Sequence, residues 1–369
     1  MTSRVIATAQ MPAGLVDIRI WVDSGASWQL CQDGPTPTMV PVKAWVVREL
    51  GGPESLHFED VEAGEPADGS VRIAVRAAAI NFPDALMVAG TYQFKPPLPF
   101  VPGVEVSGEV VSAPPSSGFK ADDRVMALLD STSLTRGGYA QIADAVPSAV
   151  TRMPAGMSFE EGAGFTLVYQ TGWFGLHRRA NLQPSETLLV HAGAGGVGSA
   201  AIQLGKAAGA TVIATAGTDE KVEVCKRMGA DHAINYKAQD FAEEVKKLTG
   251  GRGANVIFDP VGGDVYDRST KCIAFEGRIV IVGFTSGRIP QAATNHVLVK
   301  NYSVVGLHWG LYNTRAPELI PPAARALFDL YESGKIKPHV SVRLPLAEAP
   351  AALASVAGGK STGKVILTT

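Results

Sequence analysis

The sequence predicts an α/β fold in two parts, a β-rich section followed by a doubly wound parallel sheet. Three observations predict it. At 369 residues the chain exceeds what one hydrophobic core usually serves, so two domains are expected. In its first section, short extended segments are separated by Pro- and Gly-rich turns. From ETLLVHA onward, short apolar strands alternate with helical segments, the pattern of a parallel sheet covered on both faces.

Taken in order, residues 1–40 end in CQDGPTPT and read as an extension outside the core. From Val42, VKAWVVREL reads as a strand, and GSVRIAVRAAAI alternates like a second. PGVEVSGEVVSA and DDRVMALL are further short strands. With few convincing helices, this section suits a twisted, barrel-like domain. SFEEGAGFTLVYQTGWFGLHRRA then reads as one helix, opened by Ser158 and Glu161 at capping-box spacing. The alternation follows: ETLLVHA (strand), GSAAIQLGKAAGA (helix), TVIATA (strand), TDEKVEVCKRMGA (helix), DHAINY (strand), DFAEEVKKLTG (helix) and ANVIFDP (strand). DRSTKCIAFEG is expected as a helix, and RIVIVGF and YSVVGLHW as strands. The tail carries the helix AARALFDLYESG and the strand GKVILTT, expected to return to the first domain.

Composition excludes several function classes. Apolar residues make up 46% and charged residues 18%, enough for sizeable cores and too little charge for a disordered chain. Thirty-three basic against 35 acidic side chains leave a net charge of −2, and there is no basic run to track a polyanion. Nucleic acid is therefore not an expected partner. Cys31, Cys225 and Cys272 are scattered, which suits a reducing compartment and cannot build a four-thiolate metal site. No apolar run approaches the roughly 18–20 residues that cross a bilayer. The opening residues lack the apolar core of a signal peptide. A cytoplasmic protein with no membrane partner is expected.

The most specific motif is HAGAGGVG. Gly193, Gly195 and Gly198 satisfy G-x-G-x-x-G directly after a strand and at the start of a helix. Gly193 is expected to allow the tight turn and Gly195 to let the backbone approach a pyrophosphate. Gly198 is expected to let helix pack on sheet. The turn Gly193, Ala194, Gly195, Gly196, Val197 and Gly198 would then hold the anion at a helix N-terminus. An NAD site usually ends the next strand in Asp or Glu, to hold the ribose 2′-hydroxyl. Here TVIATAG places Ala216 and Gly217 there, followed by Thr218 and Lys221, which could hold a 2′-phosphate. Asp219 and Glu220 stand close by, but the missing carboxylate favours NADPH as the cofactor.

From Val42 to Thr369 the chain resembles the zinc-independent quinone oxidoreductase (zeta-crystallin-like) family of the medium-chain dehydrogenases/reductases. The resemblance rests on VKAWVVRELGGPESL, AAINFPDALMVAGTY, PPLPFVPGVEVSGEV and FKADDRV, and on VHAGAGGVGSAAIQLGKAAGA, GADHAINY, DPVGGDVYDRS and GRIVIVGF. It implies a GroES-like catalytic domain formed by residues 41–165 and 310–369, around a Rossmann NADP-binding domain at 166–309, with the active cleft between them. It implies that Asn81 and Tyr92 lie near the nicotinamide as catalytic candidates, Asn81 also touching the cofactor, with Thr171 beside the ring. It implies that Lys221 and Tyr236 hold the 2′-phosphate, and that Gly283 and Phe284 cover the nicotinamide side. Gly363 and Lys364 match a C-terminal segment returning to the cofactor. A homodimer paired through YSVVGLHW is implied as well.

Zinc alcohol dehydrogenases share this architecture, and a catalytic zinc needs thiolate and imidazole ligands plus an open position. NFPD puts Asn81 and Phe82 where the first cysteine and a following histidine would stand. GVEVSGEV puts Val104 before Glu105 in place of a histidine, and a third cysteine near Phe165 and Thr166 is absent. No run of four cysteines lies between Asp123 and Gly138 to make a structural-zinc lobe. The expectation is therefore a metal-free, NADPH-dependent reductase of quinones or α,β-unsaturated carbonyls, whose conjugation accepts hydride and spreads charge to oxygen. Two alternatives stay open: reduction of an enoyl thioester, and a cofactor-binding, crystallin-like protein with little turnover.

Overall fold

The computed structural model describes residues 40–369, so the expectation for residues 1–40 lies outside the described residues but for Val40, which opens the first strand. Fifteen strands are present among the described residues. In the first section they are β1 (Val40–Val47), β2 (Leu56–Ala63), β3 (Val71–Ile80), β4 (Glu105–Ser112), β5 (Arg124–Leu128), β6 (Ile142–Ala145) and β7 (Val150–Arg152). The second contributes β8 (Thr187–Val190), β9 (Thr211–Ala216), β10 (His232–Asn235), β11 (Ala254–Asp259), β12 (Ile273–Ile281) and β13 (Ser303–Gly306). The tail adds β14 (Val340–Pro345) and β15 (Lys364–Thr368).

β8 to β13 form a six-stranded sheet in the order β10-β9-β8-β11-β12-β13, all pairs parallel. Period-two alternation buries both of its faces. Leu188 and Val190 of β8 enter one core, with Val212 and Ala214 of β9. Leu189 and Ile213, which point the other way, enter a second core with Ile257 and Ile279. Strand order reverses between β8 and β11, the switch point where doubly wound sheets bind ligands outside the strand ends. The glycine-rich turn leaves β8 at that point.

The tail returns as the sequence implies. β14 and β15 join β3, β4, β5 and β7 in a seven-stranded sheet ordered β14-β15-β3-β4-β5-β7, with β6 also pairing β3. The fold is α/β, a GroES-like part beside a Rossmann-type part.

Three local expectations need correction. The helix expected across Ser158–Ala180 is interrupted: the capping box forms, with Glu161 N on Ser158 Oγ at 3.2 Å, but the first helix is only Phe159–Ala163. A second runs Thr166–Trp173 and widens into a π-turn over Phe174–Arg179. The break falls at Gly164, the residue most readily spared helical geometry. DRSTKCIAFEG is helical only to Ser269 and is strand from Ile273, because Ile273, Ile279 and their neighbours pair with β11. YSVVGLHW is strand only over Ser303–Gly306, ending in a short 3₁₀ turn at Trp309.

Candidate active site

The glycine-rich turn is built as the motif requires, with its roles distributed differently. The positive φ of the turn belongs to Ala192, at +50°, and not to Gly193. Gly193 is needed for space, since a Cβ there would stand 2.9 Å from both Ala214 Cβ and Cys225 Sγ. At Gly198 a Cβ would lie 2.2 Å from the Ala192 carbonyl oxygen, so the first helical turn packs directly on the loop. Gly195, the N-cap of helix Gly196–Ala207, is different. A Cβ there would meet nothing closer than the Ala192 oxygen at 3.4 Å. Its open side is a cradle that a side chain would fill, as expected where a pyrophosphate approaches backbone N–H groups. Ala194 is buried beside it, and Val197 is half-buried on the first helical turn.

The end of β9 gathers the residues expected at the 2′-phosphate. Thr218 caps helix Asp219–Arg227 by accepting from Lys221 N at 3.3 Å. Tyr236 follows β10, its N–H on the Ala216 carbonyl at 3.1 Å. A Cβ on Gly217 would stand 2.8 Å from the Tyr236 hydroxyl, so Gly217, Thr218, Lys221 and Tyr236 form one cluster. Asp219 is turned to Asn235, whose amide donates to it at 2.8 Å.

At the other end lies a buried polar hub that the sequence reading only partly foresaw. β15 runs antiparallel to β3, pairing Val365 with Ile80, so the next residues, Lys364 and Asn81, come together. β3 also pairs with β4, whose first residue is Glu105. Lys364 Nζ donates to Asn81 Oδ1 at 2.6 Å and to Glu105 Oε2 at 3.0 Å. Asn81 Nδ2 donates to Glu105 Oε2 at 3.3 Å and to the Ala79 carbonyl at 3.5 Å. The other Glu105 oxygen accepts from Leu167 N at 2.8 Å, in the first turn of the helix that carries buried Thr171.

Asp84 braces this hub from behind. Its carboxyl accepts from Asn81 N at 2.7 Å, Val104 N at 3.1 Å and the Tyr139 hydroxyl at 3.0 Å. Burial pushes it up to about 6 against those three bonds. Tyr92 is half-buried nearby, and burial, with the Asp84 charge second, raises its phenol. Gly283 and Phe284 lie apart from the hub, in the loop after β12. Phe284 covers Gly262, where a Cβ would fall 2.9 Å from its ring.

One segment links these places. Between helix Ala349–Ala357 and β15, the Gly359 carbonyl accepts from Lys221 Nζ at 2.6 Å. Gly363 N donates to the Ala194 carbonyl at 2.7 Å, and Lys364 then enters the hub. Six residues of the C-terminal region therefore pass from the Lys221 cluster, across the glycine turn, to Asn81.

Glu105, Asp84, Tyr139 and Gly359 were missed as site residues. Asp84 had a signal, since NFPD places an acid at capping distance from Asn81. Glu105 was visible as an acid inside an apolar strand. Tyr139 and Gly359 carry no local signal, because only tertiary pairing brings them in.

The hub does not fit a catalytic zinc. Its groups are an amide, a carboxylate and an ammonium that is itself a cation, whereas zinc needs thiolate, imidazole or carboxylate donors converging. Among the described residues, no three His, Cys, Asp or Glu side chains are grouped to hold a metal ion.

Comparison with known proteins agrees with this architecture. Residues 67–158 match the alcohol dehydrogenase GroES-like domain, and residues 196–325 match the family described as zinc-binding dehydrogenase. The quinone oxidoreductase-like protein 2 homolog of Nematostella vectensis is 39% identical over 330 residues, covering 89% of each chain. The Escherichia coli quinone oxidoreductase, crystallised with NADPH, is 31% identical with a TM-score of 0.81, over 89% of this chain and all (100%) of that one. A 2-haloacrylate reductase is 30% identical with a TM-score of 0.76, over 89% of this chain and 99% of that one. With the glycine turn, the returning C-terminal strand and these relatives in agreement, the chain belongs to the quinone oxidoreductase family of the medium-chain dehydrogenases/reductases.

Proposed function

We propose that this oxidoreductase uses NADPH to reduce a quinone or an α,β-unsaturated carbonyl without a metal. The observation that carries the reading is the C-terminal segment Gly359–Lys364, which touches in turn the Lys221 cluster, the glycine turn and Asn81. Those three places match the 2′-phosphate, pyrophosphate and nicotinamide ends of one extended dinucleotide. Backbone N–H groups of Gly193–Gly198 and the helix N-terminus receive the pyrophosphate. Thr218, Lys221 and Tyr236 hold the 2′-phosphate. Asn81, Thr171 and Lys364 stand at the nicotinamide end, and Gly283 and Phe284 cover the nicotinamide side from the loop after β12. The nicotinamide supplies a hydride when the cofactor is bound. Relatives crystallised with NADPH, and one that reduces a haloacrylate, support the cofactor and the activated-alkene class.

The chain's own work is then orientation and hydrogen bonding. The Asn81 amide hydrogens are directed at Glu105 and Ala79, which leaves Tyr92 or an ordered water to donate the hydrogen bond to the substrate oxygen. The raised Tyr92 phenol stays protonated and able to donate at neutral pH. Asn81 acts by keeping this end of the cleft in shape.

The test is steady-state oxidation of NADPH and NADH against a quinone, an α,β-unsaturated aldehyde, an enoyl thioester and a saturated ketone. NADPH-dependent turnover of the first two, unchanged by chelator, is expected. Preference for the thioester would select the enoyl-thioester reading, and tight NADPH binding with no turnover would select the crystallin-like one. Saturated-ketone turnover that disappears with bound zinc would overturn the proposal.

The same reading includes a homodimer. β13 is an edge strand bonded on one side to β12, and the neighbouring Leu298 and Val299 are 76% and 81% exposed. It also includes a cytoplasmic location. Cys225 and Cys272 are buried and free of any disulfide, and burial raises both thiols to about 12. No helix among the described residues is long and apolar enough to cross a membrane.

A further inference from the structure

Residues at or beside the three positions where a zinc-binding relative of this fold would place its ligands meet, in this chain, on one lysine side chain. Asn81 stands at the first position and accepts directly from Lys364 Nζ. Glu105 follows Val104, at the second, and is the ammonium's carboxylate partner. Gly164 precedes Phe165, near the third, and a Cβ there would lie 3.2 Å from Lys364 Cγ. On the other side of the lysine stem is Gly196, where a Cβ would lie 3.1 Å from Cδ. Gly196 is not one of the three glycines of G-x-G-x-x-G. Its missing side chain makes room for this lysine.

We propose that Lys364 is a resident cation of the site, a positioning residue that orients Asn81 and Glu105 and ties them to the phosphate-binding turn. The inference rests on the metal-free reductase reading above. Lysine is almost never this deeply buried without a partner, and here side-chain exposure is 4% for Lys364 and 0% for Glu105. The ammonium fixes which way the Asn81 amide faces, because Oδ1 must point at it and Nδ2 must then point at Glu105 and Ala79. Through Glu105 it also holds Leu167 N, and with it the helix bearing Thr171. Lys364 thus acts as a positioning residue on two residues of the proposed nicotinamide end.

The test uses full-length protein carrying Lys364→Met, Glu105→Gln, or both. Breaking a buried pair leaves an uncompensated charge, which destabilises more than removing both partners. Glu105→Gln should therefore lower the thermal midpoint in the wild-type background and raise it when Lys364 is already methionine. The double variant, refolded by charge removal, should still turn over at least roughly tenfold more slowly than wild type at saturating NADPH, because Asn81 has lost its anchor. The proposal is overturned if Glu105→Gln lowers the midpoint equally in both backgrounds. It is also overturned if the double variant turns over at the wild-type rate, since Lys364 would then merely neutralise Glu105. If wild type reduces none of the test substrates, the reductase reading fails, while the sign reversal in thermal midpoint still decides whether Lys364 is the resident cation.

Discussion

Lys221 donates to the Gly359 carbonyl, a neutral partner that a phosphate would outcompete by charge. A charge-assisted contact of this kind contributes about 1.5–3 kcal/mol. Lys221→Glu should therefore weaken NADPH binding by at least about tenfold and leave NADH binding nearly unchanged. Fluorescence titration of both cofactors checks this; equal losses would make Lys221 an ordinary surface lysine. Asp84 gives a second test. Its carboxyl is raised by burial to about 6 in the fold, from an ordinary value of about 4. The folded chain thus binds that proton more tightly than the unfolded one. The stabilisation is complete below about pH 4 and is lost as pH rises through about 6. The wild-type thermal midpoint should therefore fall relative to that of Asp84→Asn, which has no proton to lose there, as pH rises from about 4 to about 6. A wild-type midpoint that rose relative to the variant across that window would contradict it. At this scale the residues singled out Lys221, which follows the strand end where a carboxylate is missing, whereas Asn81 and Lys364 were expected only through the family resemblance. The sequence was silent for Tyr139, an aromatic whose hydroxyl matters only because Asp84 lies beneath it.

The glycines of the turn separate two kinds of constraint within one element. A Cβ at Gly198 collides with backbone, whereas a Cβ at Gly195 points into open space. Gly195→Ala should keep the wild-type thermal midpoint and lose most NADPH affinity. Gly198→Ala should lower the midpoint whether or not cofactor is present. Calorimetry with and without NADPH distinguishes them, and a large midpoint loss in Gly195→Ala would show that its role is packing. Elements with strong periodicity or a clear turn were legible, including β8, β9, β11 and the helix Gly196–Ala207 between them. Those whose state is decided by a distant partner were not. CIAFEG reads as a continuing helix until β11 is there to pair with Ile273. β14, missed altogether, exists because β15 offers it a parallel edge.

At the scale of the whole molecule, the open edge at β13 and the exposed Leu298 and Val299 predict pairing with a second copy. Sedimentation velocity should show a dimer for wild type and a monomer for a variant with both residues changed to lysine. An unchanged sedimentation coefficient would place the interface elsewhere. The two-part architecture was legible because the rhythm of the sequence changes at β8. The assembly of the hub was not, because Asn81 and Lys364 stand 283 positions apart and nothing local to either announces the other.

That separation has a consequence for how the protein is made. A ribosome synthesises Asn81, Glu105 and the glycine turn long before Lys364. Until β15 emerges, β3 lacks its β15 neighbour and Glu105 lacks its cation. A nascent chain can therefore form the Rossmann-type sheet while the hub is still unmade. The place of Lys364 in the sequence thus puts assembly of the hub after assembly of that sheet.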